Sequence, residues 1–192
     1  MADINYTITF FSDWHCGSGL SSGSESDTLV KKNKDELPFV PGKTIKGMIK
    51  EAAKDLFEGD EDYAAFIEGC FGTKAEKDTQ KPDYQFFYSD AELPIDEASY
   101  FKSNPIEKNK LYRNLPSTRI EEKTGIAKNK SLRTMEVTIP LKMNGTITNI
   151  PDDHLDKMID CMNMIKRLGV KRNRGLGRCQ FEIIEEKKGG QQ

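Results

Sequence analysis

The chain opens on MADINYTITFF, residues 1–11, in which Ile4, Tyr6, Ile8 and Phe10 alternate with Asn5, Thr7 and Thr9. A period of two with the apolar residues on one side marks a strand with one buried face and one wet face. A sheet built on such a strand takes its helices on the buried face. The alternation begins almost at once, which is unlike a secretory signal, and no run among the 192 residues approaches the length of a membrane-spanning helix. A cytoplasmic protein with no membrane partner is expected.

Beyond this strand the pattern stops. HCGSGLSSGSESD, His15–Asp27, is too polar for core and too rich in glycine for helix. In LPFVPGKTIKGMIKEAAKDLF, Leu37–Phe57, two prolines hold an extended entry and a helix starts near Lys43 or Thr44, with Ile45, Met48, Ile49, Ala52, Ala53 and Leu56 on its apolar face. A second short helix is expected over DEDYAAFIEGCF, with Tyr63, Phe66, Ile67 and Cys70 together. YQFFYSDAEL, residues 84–93, reads as a strand ending near Asp90. Residues 96–132 are polar, basic and weakly periodic, the composition of an excursion or projecting hairpin. MEVTIPLKM, 135–143, alternates again, and Asn144-Gly145 carries a tight-turn signal. PDDHLDKMIDCMNMIKRLG, 151–169, is the clearest helix: acids in its first turn, a stripe of Leu155, Met158, Ile159, Met162 and Ile165, then Lys166 and Arg167, with Gly169 as its cap. Cys179, Phe181 and Ile183 form a closing strand.

The order strand, loop, helix, insertion, strands, helix, strand predicts a single α+β domain over residues 1–192. Its core is ferredoxin-like, or RNA-recognition-motif-like, with helices on one face of an antiparallel sheet. The methionine stripe is core packing. Cys16, Cys70, Cys161 and Cys179 form no CxxC pair, and His15 and His154 are the two histidines, so neither a zinc knuckle, a disulfide framework nor a histidine-based metal site is indicated.

Charge is segregated beneath a formal net of −2: residues 51–97 hold fourteen acids and four bases, residues 102–133 nine bases and three acids, and IKRLGVKRNRGLGRCQFEI, 165–183, six bases. Such a chain can hold a polyanion on one face and stay solvated on the other. Three loops supply suitable groups. PGKTIKG opens a helix with Lys43, Thr44 and Lys46, where unpaired N–H groups favour an anion, although the Walker spacing is absent. The serine-glycine loop offers Gly17, Ser18 and Gly19, which let a ligand approach the backbone. GVKRNRGLGR places Lys171, Arg172, Arg174 and Arg178 among glycines, so its contacts would follow a sugar-phosphate backbone and depend on salt.

Taken together, HCGSG after the first strand, PFVPGKTIKGMIKEAA, FFYSDAEL and the terminal LGVKRNRGLGRCQFEI resemble the RAMP superfamily of CRISPR-associated proteins, and most closely the backbone subunits of type III effector complexes of the Csm and Cmr kinds. The resemblance implies a core that grips CRISPR guide RNA through His15, Gly17, Ser18, Gly19, Lys43, Thr44, Lys46, Lys171, Arg172, Arg174 and Arg178. It implies complementary target RNA, other type III subunits and further copies of the chain as partners. It also implies a thumb-like insertion, here residues 100–132, that displaces nucleotides of the guide–target duplex. In cleaving subunits an aspartate late in the first loop cuts the target RNA with a divalent metal such as Mg2+. Asp27 stands at that place, as catalytic residue and metal ligand, with Glu25 and Asp35 as substitutes in other registers and Arg119 or Arg113 to steady negative charge. The alternatives are a non-cleaving structural or capping RAMP subunit and a CRISPR-unrelated RNA-binding protein of ferredoxin-like fold.

Overall fold

The computed structural model describes residues 1–19, 28–72, 86–129 and 131–188. Strand β1 (Ala2–Phe10) is followed by α1 (Gly42–Phe57), α2 (Tyr63–Phe71), the two-residue β2 (Phe87–Tyr88), α3 (Ile95–Ser103), α4 (Pro105–Asn109), β3 (Tyr112–Ser117), β4 (Arg133–Thr138), β5 (Lys142–Ile150), α5 (Leu155–Met164) and β6 (Cys179–Lys188). Four strands make one antiparallel sheet in the order β2-β5-β1-β6. With β1-α1-β2 and β5-α5-β6 as its two halves, this is the ferredoxin-like arrangement.

The alternation of β1 explains the layering. Ala2, Ile4, Tyr6, Ile8 and Phe10 are all buried. They face Ile45, Ile49 and Ala53 of α1 and Leu155, Met158 and Met162 of α5, in one cluster with Ile147 and Phe181. Each buried isoleucine, leucine, methionine or phenylalanine of this set contributes about 1.5–3 kcal/mol by leaving water. The opposite face is polar: Thr7 donates to Asn144 and Thr146 to Asn5, both at 2.8 Å, and Asn5 donates to Glu185 at 3.1 Å. All four cysteines are buried and unbridged.

Four local expectations are corrected. Asn144-Gly145 is not a turn but the middle of β5, where Gly145 lies opposite Tyr6. A Cβ at Gly145 would overlap the Tyr6 phenol, so the glycine is there for a ring and not for a bend. The strand expected to end near Asp90 covers only Phe87–Tyr88 among the described residues and stops short of Asp90, because the chain then turns to place the Asp90 carboxylate 2.7 Å from the N–H of Gly42. Helix α5 stops at Met164, before Lys166, Arg167 and Gly169. Leu56 is more exposed than the other residues of the apolar face assigned to α1, at 42%.

Residues 100–132 divide between the end of α3, α4, β3 and the segment leading to β4, which pairs with β3 as a separate two-stranded sheet. Helices α3 and α4 escaped the periodicity because much of their attachment is ionic. Lys102 meets Asp35 at 2.9 Å, Lys108 meets Glu36 at 3.1 Å, and the Tyr112 hydroxyl donates to the Glu36 carbonyl at 2.7 Å.

Candidate nucleic-acid interface

The glycine-rich stretch after α5 is a loop pinned at its base. Leu168 N–H donates to the Gly177 carbonyl at 2.8 Å and Cys179 N–H to the Lys166 carbonyl at 2.9 Å. Gly177 has φ +69, and a Cβ there would overlap the Leu168 carbonyl, so the base closes only around glycine. Gly169 (φ +96) lets the His15 backbone approach: a Cβ would sit 2.6 Å from its carbonyl oxygen, which instead accepts the Val170 N–H at 3.0 Å. At the tip, Lys171 (φ 54) and Gly175 (φ 87) are left-handed around a tight turn over Arg172–Arg174. For a lysine that conformation costs about 1 kcal/mol.

The β3–β4 hairpin leans on this loop. Leu176, Met135 and Val137 are buried together with Leu115 packed against them, a small second core apart from the main one. Leu176 is the contact that charge-based reading overlooks. Its signal was an apolar residue held between two glycines in an otherwise basic loop.

Between hairpin and loop lies a cleft of about 620 Å3 whose lining, among the described residues, includes Arg119, Lys128, Arg133, Lys171 and Arg174 and no acid. The hairpin and the loop, nearly forty residues apart in sequence, thus supply one basic surface.

A second cleft, of about 220 Å3, gathers His15, Gly17, Thr44, Met48, Gly169 and Arg172. It joins the three loops that the sequence singled out. His15 is buried, with Nδ1 2.7 Å from the Glu136 carbonyl; a carbonyl only accepts, so Nδ1 carries the proton and Nε2 faces Gly17. Cys16 lies beside it, its thiol pushed up to about 12 by burial.

Other expected contacts are placed differently. One N–H at the start of α1 is taken by Asp90, so an acid of the chain occupies part of the anion position offered by PGKTIKG. Lys43 is exposed on the first turn. Lys46 lies 4.5 Å from the Phe86 ring centroid and 5.8 Å from that of Tyr88, and burial, with Lys50 nearby, holds its ammonium below the usual lysine range. The Ser18 hydroxyl donates to the Leu29 carbonyl at 3.2 Å, and no described residue comes within 4 Å of a Cβ placed on Gly19. Arg172 turns to α1, with guanidinium nitrogens 3.3 and 3.5 Å from the Glu51 carboxylate. Arg178 is exposed and anchored through its backbone, its N–H donating to Ser12 Oγ at 2.9 Å. Arg113 is bound to Asp13. Asp35 is held below the usual carboxylate range by its hydrogen bond from Lys102. Asp27 and Glu25 lie outside the described residues, and among the described residues no three His, Cys, Asp or Glu side chains gather as a metal site. None of the described helices is long and apolar enough to cross a membrane.

The three long strands carry no aromatic ring on the polar face of the sheet, since Tyr6, Phe10 and Phe181 all belong to the buried core. The stacking platform by which RNA-recognition motifs hold bases is therefore missing from these strands. The cations of the hairpin and of the glycine loop meet at the larger cleft instead.

A ferredoxin-like α+β protein with a basic hairpin laid against a glycine loop is the class that fold and clefts define. The chain belongs to the RAMP superfamily, whose family model matches residues 7–180. Among solved structures it is similar to a chain of the type III-B Cmr-beta complex determined by cryo-electron microscopy in its apo state, with TM-score 0.71, 13% identity, and 95% of this chain and 97% of that chain covered. It is likewise similar to a chain of Cmr-beta bound to cognate target RNA, with TM-score 0.67, 11% identity and the same coverage, 95% and 97%. At such identities the likeness concerns the fold. No curated protein matches the sequence.

Proposed function

We propose that the chain is a backbone subunit of a type III CRISPR effector complex that holds guide RNA in the cleft between hairpin and glycine loop. The observation that carries this is the cleft of about 620 Å3 whose lining, among the described residues, holds five cations and no acid. Phosphates would pair with Arg119, Arg133 and Arg174 through guanidinium forks and with Lys128 and Lys171 as point charges. Ile120, Ile126 and Leu132 stand exposed around the far end of the hairpin, apolar side chains suited to press on an unstacked base of a guide–target duplex. Membership of the superfamily and the likeness to Cmr-beta chains support other type III subunits as neighbours, and further copies of this chain are proposed among them.

The reading extends to cleavage of guide-paired target RNA beside a displaced nucleotide, with Asp27 as the acting carboxylate. Its support is the first-loop motif, together with the position of Thr28, next in sequence, which bridges to Met135 on β4. A divalent cation such as Mg2+ would supply charge stabilisation at the scissile phosphate. The described residues offer no set of three histidine, cysteine or carboxylate side chains to hold it.

The test begins with a fluorescein-labelled oligouridylate. Binding should weaken with salt at a slope of about −3 to −4 in log K against log concentration, as five phosphate contacts to a single strand require. Salt-independent binding would sink the reading. Cleavage is tested in the assembled complex with complementary RNA and magnesium: Asp27→Ala should abolish cutting and keep target binding, and unchanged cutting removes Asp27 from the role.

A further inference from the structure

We propose that Asp13 is a positioning residue that sets the hairpin against the glycine loop and so fixes the width of the basic cleft; this rests on the reading of that cleft as the RNA site. Asp13 follows β1 and is 6% exposed. Its carboxylate accepts from Arg113 of β3 through Nε at 2.6 Å and through Nη2, while its own backbone carbonyl accepts the N–H of Gly177 at 2.7 Å. Arg113 lies at the root of the hairpin wall that ends in Ser117 and Arg119, and Gly177 at the root of the loop wall that carries Arg174 and Lys171. One residue therefore grips the base of both walls.

Its surroundings make the grip rigid. Ser12 Oγ accepts the Arg178 N–H at 2.9 Å, and Trp14 and Thr138 exchange backbone hydrogen bonds at 2.9 Å, with the indole Nε1–H donating to the Ile139 carbonyl at 3.0 Å. Asp13 thus sits on a segment zipped to both partners, and its carboxylate adds a directional, charge-assisted clasp to the non-directional packing of Leu176.

Electrostatics gives the idea its edge. A carboxylate beside a polyanion site repels the ligand, so if charge alone mattered, removing it would tighten binding. Positioning predicts the reverse sign. The Arg113 charge is also largely spent on Asp13, which leaves Arg113 as a strut more than a phosphate ligand.

The experiment measures affinity for the fluorescein-labelled oligouridylate, and its salt slope, in full-length wild type, Asp13→Ala, Arg113→Ala and the double variant, with urea unfolding alongside. Asp13→Ala should bind about fivefold to tenfold more weakly, the effect of one charge-assisted hydrogen bond, with a shallower salt slope because fewer phosphates are reached together. Arg113→Ala should lose a similar factor, and the double variant no more than the weaker single one. Binding by Asp13→Ala as tight as wild type or tighter, an unchanged salt slope, or losses that multiply in the double variant, overturns the proposal. A wild type that binds without salt dependence overturns instead the RNA reading beneath it. Should Asp13→Ala fail to fold, Asp13→Asn keeps the shape and removes the charge; it must still bind more weakly than wild type, and equal or tighter binding overturns the proposal.

Discussion

Arg172, in the turn at the tip of the glycine loop, reaches to Glu51 of α1, with nitrogen–oxygen distances of 3.3 and 3.5 Å and Nη1 also 3.2 Å from the Met48 sulfur. A carboxylate of the chain thus holds an arginine that borders the smaller cleft. Both partners are partly exposed, so the pair is worth no more than about 1 kcal/mol. Glu51→Gln is expected to free Arg172 and tighten oligouridylate binding by no more than about fivefold, with unfolding almost unchanged. Fluorescence anisotropy at low and physiological salt measures this; weaker binding would show that Glu51 holds Arg172 where RNA needs it.

The hairpin's second attachment can be removed separately. Leu176→Ala empties the small cluster with Met135, Val137 and Leu115. A loss of about 2 kcal/mol in urea unfolding is expected, at the low end for a buried leucine because the site is small and borders solvent. Oligouridylate affinity should fall as well, since the loop wall of the cleft is no longer seated. Unaltered affinity with lowered stability would dissociate the cluster from the cleft.

Gly145 and Tyr6 make a steric pair in the main core. Gly145→Ala drives a methyl into the phenol and is expected to cost about 1–3 kcal/mol. Tyr6→Phe alone should be neutral or stabilising, because the buried Tyr6 hydroxyl has no hydrogen-bond partner among the described residues. Combined with Gly145→Ala it should restore part of the loss, since the contact lies at the phenol oxygen and the adjoining ring carbons. Denaturant unfolding of the three variants gives the coupling directly.

The tether of α3 should respond to acid. The hydrogen bond from Lys102 holds the Asp35 carboxyl below its usual range. A depressed carboxylate stabilises the fold above its unfolded value, near about 3.9, and that contribution disappears as pH falls through the folded value. Hydrogen exchange of α3 amides should therefore stay pH-corrected constant from neutrality to about pH 4 and speed up below it. Lys102→Ala should remove this step, leaving exchange fast throughout.

The ferredoxin-like core was legible because it rests on repeated local signals. Alternation in β1 and the stripes of α1 and α5 each state which side is buried, and burial of those sides leaves little choice of layering. The glycine loop was legible as a loop for a related reason, since its glycines mark the positions where the backbone turns left-handed or closes tightly, as at Gly169, Gly175 and Gly177. Tertiary structure alone decided which cations share a cleft. Arg119 and Arg133 meet Lys171 and Arg174 where Leu176, the Trp14–Thr138 backbone pair and the Asp13–Arg113 clasp join the hairpin to the loop, contacts between residues far apart in sequence that no local period encodes. It also decided that Asp90 caps α1, that Lys46 turns to Phe86 and Arg172 to Glu51, and that Gly145 makes room for a ring. A side chain's type fixes what it can bind, but its direction is set by the neighbour that satisfies it first, and that neighbour is chosen by the folded chain.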